Sequence, residues 1–346
     1  MSAAGFLPAF ADVLARPEIR TVLLAGCGGG FDFVHGLMLW PALRRMGKTI
    51  VVGSYSFGDP AAIRGGEVVF GEDGVIAKRV DARALASPSY GPEVHAAAFL
   101  DARYPADAPH SIYAYYARDF TVARLTALYQ TLIRRHEVDA VVLVDGGSDS
   151  LMAGDEEGLG DPIEDAVSIA TVAGLEGLQA KLLLAIGVGA DRFNHVSDAA
   201  TLRAIAELSR QGGYLGALGL DPAGELVGTY RALLDHLDRH HSFRSVLAGS
   251  ILAAADGYFG GAELPPRLAS RVAPGELFLW PLMSTLFGFD VEKVAARSRI
   301  ASWVAGARSV QEQLSAVLEA RAAIGLRPVE DLPRHADLRN PRGRYL

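Results

Sequence analysis

Residues Thr21 to Gly36 read TVLLAGCGGGFDFVHG. An unbroken run of branched apolar residues enters a turn with glycine at four of five positions, Gly26, Gly28, Gly29 and Gly30, and Cys27 between them. The helix-like stretch LMLWPALRRM follows. An apolar run without alternation belongs to a strand covered on both faces, as in a parallel sheet. Strand, glycine turn and helix in that order are the first unit of a Rossmann-like sheet. Without a Cβ the backbone turns sharply and a ligand can approach its amides, so a site is expected near residue 30.

Two further segments share this grammar. DAVVLVDGGSDS closes a strand on Asp145 and carries Asp149, and KLLLAIGVGADRF places Asp191 after Gly187 and Gly189. Helical runs precede the second segment and follow the third: FTVARLTALYQTLIRRHE, which Asp119 could cap, and AATLRAIAELSRQ, capped by Ser197 or Asp198 and stopped by Gly212. This alternation predicts an α/β fold, Rossmann-like, with a mainly parallel sheet flanked by helices. Glu67 to Val80 predicts a small β-hairpin turning at Asp73-Gly74. Ser87 to His110, with four prolines, reads as an irregular excursion over the site. The expected organisation is one α/β domain over residues 1–330, with the hairpin and proline-rich excursion at about 58–112, and a basic tail over 331–346. That tail could reach a neighbouring subunit of a homo-oligomer. The aromatic segment 275–298 is expected in the core or at a subunit interface.

Composition narrows the function classes. The chain has 346 residues, 50% hydrophobic and 21% charged, enough for a large core. A net charge of −7 argues against a nucleic-acid partner. No apolar run reaches the ~20 residues of a membrane helix. The N-terminal stretch reads as a short amphipathic helix with no basic n-region before its apolar residues. With Cys27 as the single cysteine, a disulfide framework and a multi-cysteine zinc site are both excluded. A cytoplasmic protein acting on a small molecule is the expectation.

If the three runs are parallel neighbours, their turns share the carboxyl edge of the sheet, where ligands of open α/β sheets bind. Asp32, Asp145, Asp149 and Asp191 would then line one crevice. Asp often serves only to satisfy turn amides, but four together crowd negative charge at one edge. The second turn continues into an acidic loop holding Asp155, Glu156, Glu157 and Asp161, with no lysine or arginine from Val144 to Ser168. Carboxylates crowded in this way either keep protons or take a cation. Magnesium suits such oxygen ligands, with Asp149, Asp155 and Glu156 as candidate metal ligands. A solvated acidic loop is the competing reading. The first turn misses G-x-G-x-x-G, since Phe31 stands where the last glycine is required, and it has no Walker lysine. Asp32 would also repel a bare phosphate.

Candidate catalytic residues are therefore Asp32, His35, Asp145 and Asp149. Asp32, Asp145 and Asp149 would hold the ion or act as acid and base, and His35, three residues after Asp32, would shuttle a proton. Candidate substrate-binding positions are Gly28, Gly29, Gly30, Gly146, Gly147, Ser148, Asp191 and Arg192, with Arg192 set to orient an anionic group. Cys27 reads as a small buried residue at a strand end, with an activated nucleophile as the competing reading. Adjacent histidines point apart, which argues against a metal shared by His240 and His241.

The G-x-G-G-G-x-D turn at Gly26 to Asp32, the D-G-G-x-D-S turn at Asp145 to Ser150 and the acidic loop Gly154 to Gly158 resemble an uncharacterised prokaryotic family of unknown function. The resemblance spans most of the chain. It implies a Rossmann-like fold and no mechanism. Two functions are carried forward: a hydrolase or transferase acting on a small polar or nucleotide-like substrate, and a non-catalytic metabolite or nucleotide sensor using the same crevice. A redox enzyme ranks below both because the dinucleotide fingerprint fails.

Overall fold

The computed structural model describes residues 7–329, 331 and 332. The strands are β1 (Thr21–Gly26), β2 (Thr49–Ser56), β3 (Glu67–Glu72), β4 (Val75–Asp81), β5 (Ser111–Tyr116), β6 (Ala140–Gly146), β7 (Ala180–Ile186), β8 (Tyr214–Gly219) and β9 (Thr285–Asp290). They form one sheet in the order β3-β4-β5-β2-β1-β6-β7-β9-β8. The five inner strands β5, β2, β1, β6 and β7 are parallel. The glycine-aspartate runs are β1, β6 and β7, adjacent in that order. Strand order reverses at β1, whose neighbours are β2 on one side and β6 on the other, so the turns after β1 and β6 face each other across a switch point.

The helices are α1 (Ala9–Ala15), α2 (Asp32–Leu37), α3 (Trp40–Arg45), α4 (Pro92–Arg103), α5 (Val122–His136), α6 (Pro162–Gly174), α7 (Asp198–Arg210), α8 (Glu225–His240), α9 (Val246–Ala255), α10 (Pro266–Ala269), α11 (Val291–Arg297), α12 (Arg299–Val304) and α13 (Val310–Ala323). Two cores lie on opposite faces of the sheet. Val22 and Leu24 of β1 join Phe33, Leu37, Val94 and Leu233 of α2, α4 and α8 on one face. Leu23 and Ala25 join Leu128, Val167 and Val304 of α5, α6 and α12 on the other. Every residue of β1 is buried, as its continuous apolar run requires.

Several local expectations change. The hairpin turns at Asp73 and Gly74, both at positive φ, and β4 pairs antiparallel with β5, so the hairpin adds two strands to one edge of the main sheet. The proline-rich stretch contains α4, with Pro92 at its first turn, where a missing N–H costs nothing. Its apolar residues Val94, Ala97 and Leu100 are buried in the core. Helix α5 is capped by Thr121, not Asp119, and α7 by Ser197. The late aromatic segment supplies β9, inserted antiparallel between β7 and β8. No described helix is long and apolar enough to cross a membrane. From residue 333 onward, the basic tail lies outside the described residues.

Candidate acidic centre at the switch point

Three carboxylates meet beyond the ends of β1 and β6. Asp32 comes from the first turn of α2, Asp145 from β6, and Asp165 from the first turn of α6 on the opposite face. One oxygen from each lies within 4.8 Å of the others, the only such grouping of three or more metal-ligating side chains among the described residues. All three are buried, at 8%, 2% and 3% exposure. Asp32 is held at both oxygens: the Gly28 amide donates to Oδ2 at 2.7 Å and the Gly146 amide to Oδ1 at 3.0 Å. Ser150 Oγ donates to Asp145 Oδ2. Asp165 Oδ1 has no hydrogen-bond partner.

The glycines make this convergence sterically feasible. A Cβ on Gly146 would sit 2.5 Å from His35 Nε2 and 2.9 Å from Asp32 Oδ1, so a side chain there would displace the carboxylate. Gly147 adopts φ of +145°, and a Cβ would lie 2.8 Å from Asp191 Oδ1. The turn amides face inward. Gly30 N donates to Tyr55 O, Gly147 N to Ile186 O, and Ser148 N to Asp191 Oδ2 at 2.7 Å. The first turn is thus filled by the protein's own side chain: the Asp32 carboxyl group takes the Gly28 amide, and the Gly146 amide of the second turn, that a phosphate cradle would present outward. The Phe57 ring, 52% exposed, lies over Gly29 and Gly30.

Burial dominates the electrostatics. It pushes Asp32 up to about 8, against the opposing pull of the Gly146 and Gly28 amides. Burial followed by repulsion from neighbouring aspartates raises Asp145, Asp149 and Asp165 well above the ordinary carboxylate range. Asp191 rises for the same reasons. Three dehydrated carboxylates in one pocket cannot all be charged without a cation.

The other candidates divide clearly. Asp149 lies beside the trio and accepts from the Asp161 amide at 3.0 Å. His35 packs against the Gly146 turn, with Nδ1 2.6 Å from Tyr230 OH. Burial lowers it to about 3, so it is neutral at physiological pH and ill suited to shuttle a proton there. Asp155 and Glu156 do not join the metal-ligating group. Arg327 Nη2 reaches Asp155 at 2.8 Å and Glu156 at 2.7 Å, and Glu156 also accepts from the amides of Ala153 and Gly154. The cations missing from this loop arrive from the C-terminal third of the chain, as Arg297, Arg299 and Arg327. Arg192 is likewise committed, to Asp198 at 2.7 Å and to the Phe278 carbonyl at 2.8 Å. Cys27 is fully buried and its thiol is pushed up by burial, against activation as a nucleophile. Sequence reasoning missed Asp165. Its carboxylate follows Pro162 by one helical turn and resembles any acidic residue at a helix start; only the packing of α6 against the sheet reveals its role.

A cavity of about 610 Å³ opens along the outer side of the acidic loop, lined by Gly158, Gly160, Asp161, His195 and Leu314. Asp149 sits immediately behind its wall, through the Asp161 amide.

The sequence pattern of the family described as "Protein of unknown function (DUF1152)" matches residues 110–324. The matched stretch contains Asp145, Asp149, Asp165 and Asp191 and begins after Asp32. No curated protein and no solved structure matches the chain.

Proposed function

The chain belongs to the DUF1152 family of unknown function, and we propose that it is a divalent-cation-dependent enzyme, a hydrolase or transferase acting on a small polar or nucleotide-like substrate at the switch point. The observation that carries this reading is the convergence of Asp32, Asp145 and Asp165, with Asp165 Oδ1 buried and unpartnered. Magnesium fits the donor set. It binds carboxylate and water oxygens, and Asp32, Asp145 and Asp165 would hold it. Asp32 is oriented by two amides, and Asp145 by Ser150, so their positions are fixed before an ion arrives.

A bound cation would polarise a phosphoryl or carbonyl oxygen or make a water acidic. With a bound cation offsetting the burial that holds a proton on it, Asp149 beside the trio would take a proton from an incoming nucleophile. The inward-facing amides favour a cation-first site over a bare phosphate cradle.

Burial of the whole trio supports the second reading, a sensor that binds an ion or ligand without turnover. The test is calorimetric titration of the metal-free chain with Mg²⁺ and Mn²⁺, followed by a turnover screen of phosphate esters and nucleotides with and without EDTA. Cation binding with EDTA-sensitive turnover supports the enzyme. Binding without turnover supports the sensor, and no binding of either ion removes both as metal-dependent readings.

A further inference from the structure

A cavity of about 670 Å³ opens beyond the carboxyl end of β7, between residues 189–193 and residues 261–278. Its walls are braced as they stand. Gly260 and Leu279 exchange both backbone hydrogen bonds at 2.9 Å, and the Gly275 amide donates to Gly261 O at 2.8 Å. Trp280 Nε1 donates to the Val188 carbonyl at 2.6 Å. Gly189, at φ of +92°, leaves room for that bond, since a Cβ there would lie 2.6 Å from the indole nitrogen. Arg192 ties the two sides together: Nη1 donates to the Phe278 carbonyl at 2.8 Å, and the guanidinium lies 4.6 Å from the Trp280 ring centroid.

Two phenyl rings of this lining remain in water, Phe193 at 64% exposure and Phe278 at 45%. Exposed rings around a concave surface mark a binding site. The charges decide which part of a ligand enters. Arg192 is the sole basic residue of the lining, and its Nε and Nη2 are taken by Asp198 while Nη1 is taken by Phe278 O. Glu276 adds a carboxyl group to the same lining, with Oε2 held by the Ala273 amide at 2.7 Å. No free cation awaits a phosphate here. The cavity suits an uncharged planar group that stacks on phenyl rings and offers N–H groups to an acceptor.

We propose that this cavity is the nucleobase subsite for a nucleotide substrate. The proposal rests on the reading of the acidic centre as a cation site, which supplies the place for the phosphates. Asp191 joins the two. Its carboxylate accepts from the Ser148 amide at 2.7 Å on the side of the acidic centre, while its neighbours Ala190 and Arg192 line the cavity. A single turn of chain therefore separates the base from the glycine turn after β6. Base beyond β7 and phosphates at the switch point lay the ligand along the carboxyl edge of the sheet, where such sheets bind.

The test is calorimetric titration of the full chain with adenosine in EDTA, where the cation site plays no part. Adenosine is expected to bind and ribose 5-phosphate is not. Phe193→Ala and Phe278→Ala should each weaken adenosine by about fivefold to hundredfold, the value of one base–aromatic stack. Ala262→Trp, which fills the cavity from an exposed position, should abolish binding. Both phenylalanines are exposed, so the variants keep the fold, and thermal melts check this. The proposal is overturned if adenosine does not bind, or if all three variants bind it as tightly as wild type. Conversion of a dimer to a monomer by the phenylalanine variants, in place of lost adenosine binding, would overturn it too and assign the rings to an interface between copies of the chain. Absent adenosine binding with Mg²⁺ still taken up would leave the acidic centre standing, so the two readings fail separately.

Discussion

Asp32 and Gly146, 114 residues apart in the chain, are joined by a 3.0 Å hydrogen bond from the Gly146 amide to Asp32 Oδ1. That bond ties the turn after β1 to the turn after β6 and fixes the carboxylate at the switch point. Only glycine fits at the donor position, because a Cβ would strike both Asp32 and His35. Gly146→Ala is expected to cost about 1–3 kcal/mol, the usual range for overpacking a tight interior. A lowered urea midpoint with unchanged slope would show it; an unchanged midpoint would contradict the geometry.

Asp165→Asn replaces a crowded carboxylate with a neutral group of the same shape. In EDTA the variant should melt no lower than wild type, since repulsion from Asp145 and Asp149 is relieved. Wild type should melt higher when Mg²⁺ is added, by linkage, and the variant should not. A variant that still responds fully to Mg²⁺ would take Asp165 out of the ligand set.

Of this centre, the positions of Asp32, Asp145, Asp149 and Asp191 were legible in the sequence because glycine-aspartate turns follow continuous apolar strands. The adjacency of β1, β6 and β7 enters the sequence reading only as a condition, and the sheet order supplies it. Asp165 was not legible, because a carboxylate in the first turn of a helix looks the same whether it faces solvent or a buried trio. The ion pairs of Asp155 and Glu156 were not legible for a complementary reason. Arg327, Arg297 and Arg299, which neutralise them, lie far along the chain, and local charge counting cannot see them. The antiparallel β8 and β9 were hidden because their short runs carry glycine and aromatic residues in place of a continuous branched pattern.

His35 gives a pH dependence of known sign. Its folded value of about 3 lies below the ordinary 6.5, because burial disfavours the imidazolium. Between these values the unfolded chain binds a proton that the folded chain refuses. The stability from burying neutral His35 is therefore fully present above about pH 6.5 and is lost as pH falls toward 3. The stability gap between wild type and His35→Gln, measured by urea titration, should narrow over that range. A gap independent of pH would mean His35 is not buried in its neutral form.

Tyr230→Phe removes the partner of His35 Nδ1 and leaves that nitrogen buried without a hydrogen bond. The expected loss is about 1–3 kcal/mol, read from the urea midpoint at neutral pH. A variant as stable as wild type would mean that water replaces the phenol.

Cys27 should resist modification. Its thiol is sealed at the end of β1, and burial, with Asp165 and Asp145 nearby, disfavours the thiolate. Alkylation by iodoacetamide is expected to be slow in the native chain and fast in urea. Labelling at the rate of a free thiol under native conditions would revive the nucleophile reading.

The placement of β9 has a consequence for how the protein is made. This strand is synthesised about a hundred residues after β7, yet it sits between β7 and β8. Until Thr285–Asp290 has left the ribosome, β7 presents a bare edge along Leu182–Ala185, and β8 lacks the neighbour it pairs with. Bare edges recruit other strands, and incomplete sheets are where nascent chains go astray. A chain ending before Thr285 should therefore self-associate, elute early in size-exclusion chromatography and depend on chaperones for solubility. The sheet is finished from the inside by its last strand, so β7 and β8 gain their shared neighbour only after α8, α9 and α10 have been made.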